Sequence, residues 1–479
     1  MKLAEHVEHI RQLIDKAFRN RFGRMGISTN ALQSIDTIPT EYHLDRYRID
    51  VIREVFIAET GNTADAFEKL VEEFTFTLFN RLAALKVMEA HLLHPEIVTR
   101  QAQYADRSFA HHLWLEQNSD GRQEDLEGLL RFLEDELKKL SADIPLFSPQ
   151  YSYHLLPTAI ELNGIINAFN QVEIDAQVET DIWRSDDVLG WLYESYNNYK
   201  KAAHKDSGNK TEYNKVSIQS QVYTPRWVVK FLVDNSLGKL YLEMFPDSDI
   251  KNKYKIANAP TTKTREETPL STIRLIDPAM GSGNFLLYAF DLFYDLYQDQ
   301  IDYFGADYDE RKIPELIIKN NLHGVDLDDR AVQIAQLGLF IKAKRKQRNV
   351  KIVHFNIVSS DFFLPPFADV KHLFEQEGPL SIELEKIVID LWGDLQQAYK
   401  FGSLIRLEEK FSLRLHGLVQ KDGFNLFTQQ TLADYEQFKE NFFDNLQRAV
   451  ELNAKKDGVS FLNTKTQDAL TFLELNAKI

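Results

Sequence analysis

Residues 273–287 read IRLIDPAMGSGNFLL, and the helix-periodic run YAFDLFYDLY follows at 288–297. Ile273, Leu275 and Ile276 predict a short buried strand that ends at Asp277. Gly281 and Gly283 mark a tight turn in which backbone lies close to a ligand and φ can turn positive. Asn284 or a neighbour starts the helix behind it. A dinucleotide-binding turn would carry Gly-x-Gly-x-x-Gly and seat a pyrophosphate on the helix N-terminus. Here Leu286 occupies the third glycine position, and an acid stands four residues ahead of the first glycine. A carboxylate there repels pyrophosphate and suits a cationic ligand.

The design recurs downstream. LHGVDLDDRAVQIAQLGLFIKA (322–343) is a second strand, an acid and a helix, with Asp326 placed to accept both hydroxyls of a ribose and Asp328 or Asp329 placed to cap the helix. VKIVHFNIVSSDFF (350–363) is a third strand-like run that ends at Asp361. Strand and helix therefore alternate from about 220 to 365, the pattern of a parallel α/β sheet. Ligands in such sheets sit beyond the carboxyl ends of the strands, where these three acids would line one rim. A cation beside one acid and a ribose beside the next describe S-adenosylmethionine. Upstream, QSQVYTPRWVVKFLVDNSLG (219–238) predicts a helix with Thr224 as N-cap, Pro225 in its first turn and Gly238 at its end.

Residues 1–180 read as a helical domain. AEHVEHIRQLIDKAF (4–18), DAFEKLVEEFTFTLFNRLAALKVMEAHLL (65–93) and EDLEGLLRFLEDELKKL (124–140) each repeat apolar residues every three or four positions. Glu136-Leu137-Lys138 matches the Glu-x-Lys fragment of many nucleases, but it sits in an amphipathic helix with no aspartate-bearing strand before it. Residues 181–218 form a helical connector, and its lysine-rich part KKAAHKDSGNKTEYNK (200–215) reads as a loop into the second domain. NAPTTKTREETP (258–269) reads as an insertion-like loop. The ligand-binding core occupies 219–370, and residues 371–479 turn helical again through LSIELEKIVIDLWGDLQQAYKF and LADYEQFKENFFDNLQRAVEL.

Composition narrows the chemistry. The 479 residues contain no cysteine, which excludes disulfides, cysteine-ligated zinc and a thiol nucleophile. No metal-binding set is assigned. No stretch has the length and apolarity of a membrane span, the N-terminus has no signal-peptide block, and a cytoplasmic location is expected. The net charge of −16 argues against a surface dedicated to nucleic acid. Lys342, Lys344, Arg345, Lys346, Arg348 and Lys351 nevertheless cluster without an intervening acid. They either contact phosphates or complement a helix C-terminus, and the second is the preferred reading.

In this order the elements resemble the gamma-type adenine-N6 DNA methyltransferases, and within them the PglX-like methyltransferases of BREX phage-resistance systems and their type IIG restriction-modification relatives. DDVLGWLYESYNNY (186–199), ahead of the YTP element, adds to the likeness. The resemblance covers roughly 180–365. It implies a class I, Rossmann-like methyltransferase sheet that binds S-adenosylmethionine and methylates adenine N6 in double-stranded DNA. It further implies that Tyr223, Thr224 and Pro225 border the methionyl carboxylate, and that Asp277, Ala279, Gly281 and Gly283 cradle the methionine moiety. Asp326 would bind the ribose, with Leu327 packed on the cofactor's adenine. Asp361 would accept from the cofactor's exocyclic amine, with Phe362 against its ring. The family usually shows Gly-x-Phe/Tyr before the YTP-like element, whereas Ser220, Gln221 and Val222 stand here.

The Asn-Pro-Pro-aromatic element, which in the family holds the flipped target adenine, does not occur in the 479 residues, so no catalytic residue is assigned. Leu364-Pro365-Pro366-Phe367 lacks its polar residue and reads as a loop. The expectation is a sheet left incomplete, with residues 371–479 as the insertion that precedes the catalytic element and the first strand open on one edge. A truncated chain, a complementing C-terminal polypeptide, or coverage of that edge by the helices of 371–479 would each account for it. The alternative function is a non-catalytic, cofactor-binding or partner-docking subunit.

Overall fold

The computed structural model describes residues 1–29, 31–206, 223–360, 364, 366–375, 382–398, 409–410, 412–414, 441–442, 444–449 and 465–478. The chain divides into two compact units, Met1–Gly208 and Asn209–Ile479.

The first unit is helical. Its seven principal helices are α1 (Leu3–Arg24), α2 (His43–Thr60), α3 (Thr63–Ala90), α4 (Phe109–Gln117), α5 (Leu129–Leu140), α6 (Ala159–Ile174) and α7 (Val188–Asp206). Helix α3 is buried along most of its length because α1, α2 and α6 pack around it. Phe18 and Phe22 of α1 meet Phe74 of α3 at ring separations of 5.7 and 5.4 Å, and Phe79 meets Phe169 of α6 at 5.6 Å. Side-chain caps set the helix starts: Asn62 accepts from the Asp65 amide, and Thr158 with Glu161 forms a capping box.

Two expectations fail in this unit. The helical periodicity of 124–140 holds only from Leu129, because Leu126 and Glu127 take left-handed φ values of 49° and 56°. Arg107 reaches Glu127 from another loop with two hydrogen bonds, a contact that no local periodicity can report. The first part of the loop expected at 200–215 is helical, since α7 continues to Asp206; residues 207–222 lie outside the described ones.

The second unit holds a parallel three-stranded sheet in the order β1 (Leu275–Asp277), β2 (Leu322–Asp326), β3 (Ile357–Ser359). Leu275 pairs with Leu322, and Gly324 with Ile357. Ahead of the sheet lie α8 (Arg226–Val233), a π-helical turn at Asp234–Gly238 and α9 (Lys239–Met244). Helix α10 (Asn284–Phe304) connects β1 to β2, and α11 (Asp329–Lys346) connects β2 to β3. Then follow α12 (Phe367–Phe374), α13 (Ile382–Leu395) and α14 (Lys465–Lys478).

Gly238 does not end the helix as its position predicted. Its φ of −63° is right-handed, and α9 continues beyond it. A side chain there would instead meet Ile256 Cδ1 at 3.1 Å, so close packing explains the glycine. The N-cap of α8 is Pro225, not Thr224, and no side chain caps it.

Strand β1 is less buried than its apolar sequence predicted: Ile276 is 38% exposed. Among the described residues its only strand partner is β2, which leaves the outer edge unpaired as expected. Among the described residues, the buried core of the later helices does not include that edge. Their core joins Trp392, Leu391, Phe442, Leu446 and Phe472 to Val325 of β2 and Val358 of β3, with no residue of β1 in it.

The basic cluster follows the helix-terminus reading. Lys344, Arg345 and Lys346 occupy the last turn of α11. Lys342 is buried and donates to Asp291 at 2.5 Å, while Lys346 Nζ lies 4.1 Å from the Tyr294 ring centre.

Candidate functional site

The turn after β1 is shaped by two left-handed glycines, Gly281 at φ +53° and Gly283 at φ +81°. The Met280 amide donates to the Val325 carbonyl of β2 at 3.1 Å, and the Gly281 amide donates to Asp326 Oδ2 at 2.8 Å. These two bonds fasten the turn to the end of β2. Gly283 fits because a Cβ there would lie 2.7 Å from Ala335 Cβ of α11. At Gly281, by contrast, an added Cβ would meet nothing within 4 Å. Space in front of the turn is therefore open at Gly281 and closed at Gly283.

Two acids terminate neighbouring strands. Asp277 Oδ1 accepts from the Ala279 amide at 3.2 Å, and burial raises the carboxyl's pKa. Asp326 takes the Gly281 amide on one oxygen and the Asp328 amide, at 2.8 Å, on the other. Burial pushes Asp326 up to about 6 against those two bonds, and the charges of Asp328 and Asp277 add to the rise. No lysine, arginine or histidine among the described residues lies within ion-pairing distance of either carboxylate. An acid pair without a counter-ion favours a ligand that supplies positive charge and hydroxyl donors. Asp328 caps α11 through the Arg330 amide, as the sequence predicted, and Leu327 lies half-buried between the two aspartates.

The YTP element reaches the same turn. The Tyr223 hydroxyl lies 3.0 Å from Asn284 Oδ1, and Asn284 Nδ2 donates to the Thr224 carbonyl at 2.8 Å. Pro225 follows, its carbonyl accepting the first amides of α8. Asn284 at the start of α10 thus holds both ends of a clasp across roughly sixty residues of sequence. The sequence marked it only as a helix start, and the clasp becomes visible once the two motifs are brought together. A second tie, from the Tyr288 hydroxyl to Asp234 at 2.8 Å, holds the π-turn after α8 against α10.

The structure thus brings together Tyr223, Thr224, Pro225, Asp277, Ala279, Gly281, Gly283, Asp326 and Leu327. Asp361 and Phe362 lie outside the described residues. Immediately before them, the Ser360 amide donates to the Asp326 carbonyl at 2.9 Å, so the end of β3 adjoins the same rim.

A parallel sheet, two of whose strands end in carboxylates with no counter-ion among the described residues, beside an open left-handed turn, defines an α/β protein with room at the strand ends. Comparison with known proteins specifies the kind. The MmeI DNA-methyltransferase domain family matches residues 255–378. The adenine-specific methyltransferase BrxX of Escherichia coli O9:H4 (strain HS) is 30% identical, over 61% of this chain and 26% of that protein. The adenine-specific methyltransferase PglX of Lacticaseibacillus casei (strain Zhang) is 27% identical, over 77% of this chain and 33% of its own length. A putative type II restriction enzyme and methyltransferase of Methanocaldococcus jannaschii is 29% identical over 32% of this chain and 14% of its own. The matched region spans about a quarter to a third of the first two relatives. These likenesses support a DNA methyltransferase lineage. Among the described residues no helix is long and apolar enough to cross a membrane.

Proposed function

We propose that residues 223–362 form an S-adenosylmethionine site on a class I methyltransferase sheet, and that the protein serves adenine-N6 methylation of DNA in phage defence or restriction-modification. The observation that carries this reading is the acid pair Asp277 and Asp326, half-buried on either side of the open turn with no cationic partner among the described residues. That donor set fits the group: Asp277 meets the α-ammonium, and Asp326 accepts from the ribose hydroxyls. Tyr223, Thr224 and Pro225, held by Asn284, border the methionyl carboxylate. Leu327 and Phe362 flank the adenine of the cofactor, and Asp361 accepts from its amine.

When bound, S-adenosylmethionine supplies an activated methyl on a sulfonium. What this chain adds is orientation and exclusion of water, since transfer to an amine nitrogen needs alignment more than acid–base help. The adenine-specific names of the relatives support the substrate. The absence of an Asn-Pro-Pro-aromatic run from the sequence favours a second reading. In that reading the 479 residues bind S-adenosylmethionine, and turnover waits on a base-holding element supplied from outside them.

Calorimetric titration with S-adenosylmethionine tests the site. Saturable binding is expected, weakened at least about ten-fold in Asp326→Ala, the loss of one charged hydrogen-bonding partner. A folded wild-type chain that binds nothing would sink both readings. Labelled-methyl transfer to adenine-containing duplex DNA then separates them, with turnover by the chain alone favouring the first.

A further inference from the structure

We propose that the helical unit carries a separate binding site for a small oxyanion, a phosphoryl or carboxylate group, organised by Arg100. A cavity of about 300 Å³ lies between the loops at 105–108 and 126–129 and helix α6. Arg100, Arg107, Ser108, His111 and Asn163, together with the carboxylates Asp106 and Glu127, supply its polar wall, and Ile97 and Ile166 its apolar one. The volume is at the small end of ligand cavities.

The charges in this wall are unevenly satisfied. Arg107 is consumed: two of its nitrogens bond the Glu127 carboxylate, and a third donates to the Tyr104 carbonyl at 3.2 Å. His111 is held neutral, its pKa lowered by burial, with its ring stacked 4.6 Å from Phe132 and Nε2 at 2.9 Å from the Glu127 carbonyl. Arg100 is the exception. Its side chain makes one protein hydrogen bond, from Nη2 to Asn163 Oδ1 at 2.5 Å. Among the described residues no carboxylate lies within ion-pairing distance, and the opposing charge it feels, Asp106, is exposed at the rim.

The same unit shows what a purely structural arginine looks like. Arg81 is fully buried, and its three nitrogens reach the Leu146 carbonyl, His154 Nδ1 and the Ser148 carbonyl. Arg100, half-buried and desolvated, has donors left over beside a cavity. An anion with two or more acceptor oxygens would satisfy the fork and compensate the charge. The Ser108 hydroxyl stands in the same wall as a further polar contact.

The loops that make the cavity are held in costly conformations. Ala105, Asp106, Leu126 and Glu127 all have positive φ, between 49° and 57°, and they are four of the seven non-glycine residues with positive φ among those described. Left-handed backbone at non-glycine residues persists where surrounding contacts enforce it, and it concentrates at ligand sites. Here the Gln101–Arg107 bridge and the Arg107–Glu127 pair enforce it.

The test is titration of the full chain with inorganic phosphate, and separately with adenosine monophosphate, at constant pH and ionic strength. Saturable binding of at least one is expected, at least ten-fold weaker in Arg100→Gln and unchanged in Asp326→Ala. Asn163→Asp places a carboxylate where Arg100 already donates. It is expected to melt no lower than wild type and to lose oxyanion binding, which keeps the proposal testable if Arg100→Gln does not fold. Absence of saturable binding to either probe would overturn the proposal, as would wild-type affinity in Asn163→Asp. A 12-base-pair duplex that binds through Arg100 while both small probes fail would also overturn it, making the site a DNA contact.

Discussion

Asp326 concentrates the chemistry of the candidate site in one carboxyl group. Burial holds its proton up to about pH 6, whereas an aspartate in an unfolded chain titrates near 4. A raised folded-state pKa contributes stability that is fully present below the unfolded value and is lost as pH rises through 6. Replacement by asparagine removes this dependence, although its amide group must then face a backbone amide that Asp326 now accepts from. That mismatch is independent of pH and cancels in a difference. The stability of Asp326→Asn relative to wild type is therefore expected to improve between pH 4 and pH 7, by on the order of 2 kcal/mol in chemical denaturation. A flat difference would show that the carboxyl group is not desolvated. Ligand affinity carries the opposite sign. Ionised Asp326 is the better acceptor for ribose hydroxyls, so S-adenosylmethionine binding should strengthen as pH rises through 6.

The two glycines of the β1–α10 turn separate folding from binding at the scale of the element. Gly283→Ala combines a φ of +81° with a Cβ placed 2.7 Å from Ala335 Cβ and 3.2 Å from its Cα. Helix α11 would have to move, so a loss of about 3 kcal/mol is expected from strain and overpacking together. Gly281→Ala has φ +53° but open space, so only about 1 kcal/mol of strain is expected. Its methyl enters the volume assigned to the ligand, and it should weaken S-adenosylmethionine binding while the protein stays folded. Denaturation and titration of both variants check the pair; equal stability losses would refute the distinction. This turn was legible in the sequence because an aspartate at a strand end and glycines at fixed offsets have local causes. The cap at Asp328 was legible for the same reason. Gly238 was misread because its role is set by Ile256, a residue distant in sequence. The kink at Leu126 and Glu127 was hidden because Arg107 imposes it from another loop.

At the scale of the whole chain, the sequence pattern separated a helical segment from an α/β segment but did not show which buried charges anchor each. In the first unit those anchors are self-contained. Glu89 accepts the amides of Ile97, Val98 and Thr99, and Lys86 donates to Glu173 and Thr99. Arg81 ends on groups of residues 146–154. The aromatic contacts of Phe18, Phe22, Phe74, Phe79 and Phe169 likewise stay within it. The buried charges Glu89, Lys86 and Arg81 and the aromatic core find their partners within the segment, as independent folding requires, although Thr75 and Asn80 keep buried polar atoms without one among the described residues. Residues 1–208 expressed alone should therefore be helical by circular dichroism and unfold in a single sigmoidal transition in urea. Glu89→Ala should destabilise that fragment by about 3 kcal/mol, because three amides buried around one carboxylate lose their acceptor together. Burial raises the pKa of Glu89 despite those bonds, so ionising it costs stability as pH rises through its folded value. The penalty for Glu89→Ala should accordingly be smaller at pH 8 than at pH 5. A fragment that melts without cooperativity would place part of its core outside residues 1–208. A penalty that grows with pH would mean that the three amides outweigh desolvation at this carboxylate.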